Sequence, residues 1–223
     1  MVYCFWELMY LKDIPFFDTE FGVASLILKE IPYRGIAYVY IRSTLEPEKL
    51  LEECVTFCRM CGADRIEATG HEALEDVYPL VTAVVAMQCS RDTLGPSEAC
   101  LFPVTEETVD RWLEVYNAAM EDVPNAAYMD RAAGKELLRA GDGYFVHRDG
   151  VLLGIGKAAG DTIDAVVSCQ RGMGAAVVRA LASALTEDMV RLTVADQNTR
   201  AVRLYERLGF VPVEELSRWY RVL

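Results

Sequence analysis

Histidine is scarce in this chain: 223 residues hold only two, His71 and His147. Transition-metal sites lean on imidazole or on paired cysteines for their ligands. Seven cysteines are present, but Cys54, Cys58 and Cys61 fall within one helical pattern, and no second pair stands at ligand spacing. The expectation is therefore buried, reduced thiols and no metal site. Cys58 and Cys61 stand near a helix end rather than opening a helix after a strand, which argues against dithiol redox chemistry. Basic residues are also short, 22 Lys+Arg against 34 Asp+Glu, a net charge of −12. Such a surface repels nucleic acid. It suits a cationic substrate, although acidic surfaces mostly serve solubility. No apolar run reaches the ~20 residues of a membrane span. The start, Met1-Val2-Tyr3-Cys4-Phe5-Trp6-Glu7, has neither a basic region nor a small-residue cleavage site. The expectation is a cytoplasmic protein that engages neither membrane nor nucleic acid.

What the chain does have is apolar residues, 52% of the total, enough for one large core or two modest ones. The pattern is clearest toward the C-terminal end. A short strand at 98–104 is followed by a helix that starts at Thr105 with an acidic first turn and is broken by Pro124-Asn125, and by a second helical stretch at 128–139. Strands at 143–147 and 151–157 flank Arg148-Asp149-Gly150, a strong hairpin signal. A strand at 161–169, a helix at 175–185, a strand at 190–195, a helix at 199–208 and one or two closing strands at 210–222 complete the half. Residues 1–97 give a fainter β-β-α-β-α-β order: strands at 21–30, 36–41, 65–69 and 81–89, helices at 47–61 and 72–77. The segment 90–97 reads as a linker between an N-terminal α/β domain, 1–97, and a C-terminal one, 98–223.

Two motifs carry chemistry. Arg171-Gly172-Met173-Gly174-Ala175-Ala176 lies where a strand passes into an Ala/Val-rich helix. A helix start offers unpaired N–H groups and partial positive charge to a phosphate. A Walker loop is excluded because no Gly-Lys-Ser/Thr follows. A dinucleotide-binding reading fails because Val177 replaces a small residue and too little chain follows for the second half of such a sheet. The second motif puts Ala201, Leu204, Tyr205 and Leu208 on one helical face, with Gly209 placed to end the helix and Phe210 to fold back on it. The periodicity alone is what any amphipathic helix with a buried tyrosine shows. Asn198 standing before it, and its place just after the glycine-loop helix, are not explained that way.

Together these motifs resemble those of the GNAT superfamily of acetyl-CoA-dependent N-acyltransferases. Arg171, Gly174 and Ala176 match that family's loop pattern. Asn198, Ala201, Tyr205, Gly209 and Phe210 match its second pattern, and the element order is similar over about residues 98–223. The resemblance implies a mixed central α/β sheet flanked by helices, with the N-terminal half a degenerate copy or an unrelated extension. It also implies acetyl-CoA as co-substrate, its arm lying between the strand ending at Val166 and Val167 and the strand at 192–194. The N–H groups of Arg171, Gly172, Met173, Gly174, Ala175 and Ala176 would hold the pyrophosphate. Asn198 would touch the arm, an amide near Val166 would polarise the thioester, and Tyr205 would protonate the departing thiolate. The acceptor would be a primary amine, of a small molecule or a peptide, and the resemblance leaves room for a homodimer. Two departures stand out. Ser168 occupies a position where the family often has proline. No general base is readable either, Asp164 being one candidate among several. The alternative is a catalytically silent acyl-CoA-binding module. A nucleotide-binding oxidoreductase is a weaker third reading. The N-terminal half offers no glycine loop: Arg42-Ser43-Thr44-Leu45-Glu46-Pro47-Glu48 follows its strand, and those acidic side chains repel a pyrophosphate.

Overall fold

Pro47 and Gly35 punctuate the N-terminal part of the chain, and its elements follow from them. The computed structural model describes residues 16–223. Strands β1 (Phe16–Thr19) and β2 (Gly22–Ile27) form a hairpin, and a short helix α1 (Ile31–Arg34) ends at Gly35, whose φ is 67°. Strand β3 (Ile36–Thr44) leads to helix α2 (Pro47–Met60), with proline in the first turn where its missing N–H costs nothing. Strand β4 (Arg65–Thr69), helix α3 (Ala73–Val77) and strand β5 (Leu80–Ser90) follow. The stretch expected as one strand at 21–30 is shorter, because Pro32 and Gly35 impose α1 there.

The remaining elements are α4 (Arg91–Leu94), β6 (Cys100–Pro103), α5 (Val109–Met120), α6 (Arg131–Ala140), β7 (Gly143–Arg148), β8 (Val151–Ala159), β9 (Thr162–Ser168), α7 (Gly174–Ala182), β10 (Met189–Ala195), α8 (Thr199–Arg207) and β11 (Val211–Arg221). Asp149 and Gly150 both take positive φ, 53° and 76°, as the tight β7–β8 turn demands. Helix α5 begins later than expected. Thr105 and Thr108 bond each other's backbone and side chains in a turn that precedes Val109. The closing segment is a single strand. No helix among the described residues is long and apolar enough to cross a membrane.

The chain makes two compact units. One contains the described residues up to Val84 together with Glu215–Leu223; the other is Val85–Glu214. These bounds replace those read from the sequence at residues 97 and 98. The segment 90–97 is not a linker: Leu94, 2% exposed, lies in the core of the second unit with Met87 and Cys89. In the first unit, α2 lays Leu50, Leu51, Cys54 and Cys58 against Ala24, Leu26, Val39, Ile41 and Ile66. Burial pushes the Cys54 thiol up to about 12 and that of Cys58 to about 11, so both are core residues and poor nucleophiles.

In the second unit the strands run β10-β9-β8-β7-β6, antiparallel from β9 to β6. Helix α7 covers one face at close range. A Cβ at Gly154 would stand 2.8 Å from Val177 Cγ2, and one at Gly156 would stand 2.3 Å from Leu181 Cδ1. Helices α5 and α6 cover the other face, with Trp112, Leu113, Tyr116 and Leu137 packed on Phe145, Ile155, Ala165 and Val167. Trp112 Nε1 donates to the Tyr144 carbonyl at 3.2 Å, giving its buried indole N–H a partner.

Candidate functional site

A parallel sheet comes apart between β9 and β10. The two strands pair at one position, Arg191 with Thr162, where Arg191 N–H donates to the Asp161 carbonyl at 2.8 Å. Beyond it they have no ladder in common. A bulge on the other side of β9 lies close to this point. Lys157 of β8 faces Ala165 and Ala158 faces Ile163, so Asp164 is the extra residue on β9. Cys169 N–H donates to the Leu153 carbonyl at 2.8 Å. Alternation along the strand then turns the amides of Val166 and Ser168 away from β8, toward the gap. Val166 is half-buried and packs toward α7, whereas Val167 is buried on the α5/α6 side.

The chain leaves β9 into the glycine loop at the open end of this gap. Ser168 Oγ donates to the Gln170 carbonyl at 2.7 Å and Met173 N–H to the same carbonyl at 3.2 Å. Gly172 has φ 84° and open space where a Cβ would stand, so its role is conformational. Gly174 has a different reason: a Cβ there would meet Leu204 Cδ2 at 2.8 Å, so it lets α8 close on the start of α7. The first α7 hydrogen bond runs from Val177 N–H to the Met173 carbonyl at 3.0 Å. The N–H groups of Arg171, Gly172, Gly174, Ala175 and Ala176 therefore have no acceptor among the described residues. Arg171 is exposed and has no ion pair among them either. Five open amides and a cation make a cradle for a pyrophosphate.

Asn198 and Tyr205 lie on or beside α8. Asn198 caps the helix, its Oδ1 accepting from Ala201 N–H at 3.2 Å. That leaves its Nδ2 and the second lone pair of Oδ1 for a ligand. Tyr205 is 7% exposed, its ring tilted against Phe210 at 5.7 Å. Burial pushes its phenol up to about 12, further above neutral pH than an ordinary tyrosine. The hydroxyl makes no hydrogen bond among the described residues, and its oxygen is not sealed from the surface.

Asp164 is largely withdrawn from solvent and is not alone. Lys157 Nζ lies 3.0 Å from Asp164 Oδ2 and 3.3 Å from Asp142 Oδ2, and the three side chains are 13%, 9% and 10% exposed. Sequence reading missed Lys157 and Asp142. They stand far apart along the chain, and only the β7–β8–β9 register and the bulge bring them together. His147 packs edge-on against Phe102 at 5.2 Å.

Residues 168–220 match the family described as FR47-like protein. No curated protein matches the chain. Among solved structures, a functionally unknown conserved protein from Staphylococcus epidermidis ATCC 12228 is similar, at 14% identity over 94% of this chain and 93% of that one, with a TM-score of 0.57. A putative acetyltransferase from Pyrococcus horikoshii shares 12% identity over 91% and 69%, with a TM-score of 0.56. A GNAT-family acetyltransferase from Colwellia psychrerythraea shares 12% over 92% and 84%, with a TM-score of 0.51. The chain has a GNAT-like fold, and its segment 168–220 matches the FR47-like family.

Proposed function

We propose that the chain is an acetyl-CoA-dependent N-acetyltransferase acting on a primary amine. The observation that carries the reading is the parting of β9 from β10 beside a loop of five open amides. A flat, extended acyl-carrying arm fits a gap whose wall, the outward amides of Val166 and Ser168, can pair with it as a missing strand would. The loop amides and Arg171 hold the pyrophosphate at the other end. Acetyl-CoA as co-substrate supplies an activated acyl carbon. An amide in the gap stabilises the negative charge that grows on the thioester oxygen as the amine attacks. Tyr205, protonated at neutral pH, gives its phenolic proton to the departing sulfur. Free thiols at Cys54, Cys58, Cys61, Cys89, Cys100 and Cys169 suit a reducing compartment such as the cytoplasm.

Calorimetry with acetyl-CoA tests the binding half of this reading. The unaltered chain should take up acetyl-CoA saturably, and Arg171→Glu should weaken binding at least tenfold, about 1.4 kcal/mol. Arg171 is exposed and unpaired among the described residues, so this variant folds as the parent does. No saturable binding, or an unchanged affinity in Arg171→Glu, overturns the reading. Thiol release in the presence of primary amines tests the chemistry. Tight binding with no release across such amines is the outcome that favours a silent acyl-CoA-binding module.

A further inference from the structure

Arg148 closes the β7–β8 hairpin opposite Val151, and Asp149-Gly150 turns the chain beyond it. β8 runs beside β9, where the Cys169 N–H meets the Leu153 carbonyl at the entry to the glycine loop. The hairpin end therefore lies alongside that loop. His147 packs on Phe145, which faces α5 and α6, so alternation points Arg148 to the α7 face. There Arg148 reaches over β8, and its Nη2 stands 3.7 Å from Met173 Sδ. Met173 sits between Gly172 and Gly174, whose amides are open. The guanidinium is thus held beside the cradle by a different element from the one that carries Arg171. Its partners are poor ones for a cation. A thioether is a weak acceptor. The other partner is one carboxylate oxygen, Glu98 Oε2, 3.3 Å from Nη1. The Arg148 side chain is 35% exposed and that of Glu98 is 85% exposed. A half-buried cation therefore leans on a solvated anion through a single long contact. Most of its N–H donors have no partner among the described residues.

We propose that the Glu98–Arg148 pair is an exchangeable latch: a diphosphate bound at the loop takes Arg148 from Glu98, and Glu98 thereby lowers the affinity for it. The proposal rests on the acyl-transfer reading above and adds a control of cofactor affinity to it. An exposed ion pair contributes little, because water competes for both charges. A guanidinium fork on a phosphate makes two parallel N–H···O bonds, shorter and stronger than one long contact to a carboxylate. The loop amides fix the phosphate oxygens next to Met173, within reach of the arginine that rests on its sulfur. The balance then tips toward the diphosphate. Releasing Glu98 costs little, since its carboxylate already lies in water. That cost is not zero, and it is subtracted from the binding free energy of the diphosphate. Asp149, on the same hairpin, is not placed to act in this way. It is exposed and makes no ion pair among the described residues. The latch thus ties the residues that lead into β6 to the occupancy of the glycine loop.

Calorimetry on the full chain tests the latch, with acetyl-CoA and with acetyl-dephospho-CoA, which keeps the diphosphate and lacks the ribose phosphate. Arg148→Gln should weaken the binding of both by about tenfold, the loss expected of a hydrogen bond to a charged group. Glu98→Gln should tighten both by about two- to fivefold, the range set by an exposed pair. In the Arg148→Gln background, Glu98→Gln should have no effect. Asp149→Asn should have none either, which separates the latch from a general field of negative charge. Asparagine accepts the positive φ of that position. Unchanged affinity in Glu98→Gln, or equal tightening in Glu98→Gln and Asp149→Asn, overturns the proposal. So does a loss in Arg148→Gln that is confined to acetyl-CoA, since Arg148 would then serve the ribose phosphate. Glu98 is exposed and its replacement leaves the fold intact, so its comparison with Asp149→Asn decides the matter even where Arg148→Gln misfolds. No saturable acetyl-CoA binding by the unaltered chain overturns the acyl-transfer reading itself. Saturable binding that is indifferent to Glu98 and Arg148 overturns only the latch.

Discussion

Tyr205 shows how the surroundings of one hydroxyl separate a catalytic residue from a core residue. Its ring is packed, so it contributes to stability, while its hydroxyl bonds nothing among the described residues. Removing only the oxygen therefore costs the fold little, since no hydrogen bond is lost. Tyr205→Phe should keep its melting temperature and its acetyl-CoA affinity. Turnover on an amine acceptor should fall by about 10²–10⁴-fold, the usual contribution of a general acid. Full turnover in that variant, with chemistry rate-limiting, would make the phenol a packing group. Asp142 yields a second prediction at this scale. Desolvation raises its carboxyl above the ordinary carboxylate range, partly offset by Lys157. A raised folded value means the folded chain holds that proton more tightly than the unfolded chain. Charged Asp142 therefore destabilises the fold at neutral pH, and the penalty fades as pH falls through the folded value. The melting temperature of Asp142→Asn relative to the parent should be most favourable near pH 8. The difference should shrink on acidification toward the ordinary carboxyl range, as a series of thermal melts can show.

The elements of the second unit were largely legible, because each rests on a local rule. Asp149-Gly150 demands a tight hairpin, a capping asparagine precedes α8, and period-3.6 apolar faces mark α5 to α8. What was illegible depends on register. The bulge that frees Asp164 and joins it to Lys157 and Asp142 arises from a one-residue offset between β8 and β9. No periodicity in the sequence records that offset. The glycine loop was legible as a loop, but the reason for Gly174, contact with Leu204, required the packing of α8. The first unit repeats the path of a strand, helix, strand, helix and strand from β3 to β5. Its parallel pair, however, stays closed. β3 and β4 pair over five positions, from Ile36 with Arg65 to Tyr40 with Thr69, where β9 and β10 manage one. A closed pair has no room for an extended arm, and the turn after β3 has Glu46 and Pro47 in place of glycines. Calorimetric titration should accordingly give one acetyl-CoA per chain. A stoichiometry of two would mean that β3 and β4 can open.

On the scale of the whole chain, sequence continuity and structural unit do not coincide. The sequence reads naturally as two consecutive blocks, 1–97 and 98–223, because a stretch with turn-forming Gly95-Pro96 follows a β-rich one. Yet Val85–Glu214 forms one unit, and Glu215–Leu223 returns to the other. The fragment 98–223 would lose Met87, Cys89 and Leu94, which are 2%, 4% and 2% exposed in the core around α7 and α8. It would also carry Tyr220, which belongs to the core around α2, without the residues that bury it. Truncating a buried apolar side chain of this size costs about 2–5 kcal/mol. Losing several of them reaches the whole stability of a typical domain, about 5–15 kcal/mol. The fragment 98–223 should therefore lack a cooperative urea transition, although it holds every residue that resembles the GNAT motifs. The full chain should show one. A cooperative transition in 98–223, with acetyl-CoA affinity equal to that of the full chain, would mean that residues 85–97 are dispensable. The unit would then be the one that sequence continuity suggests.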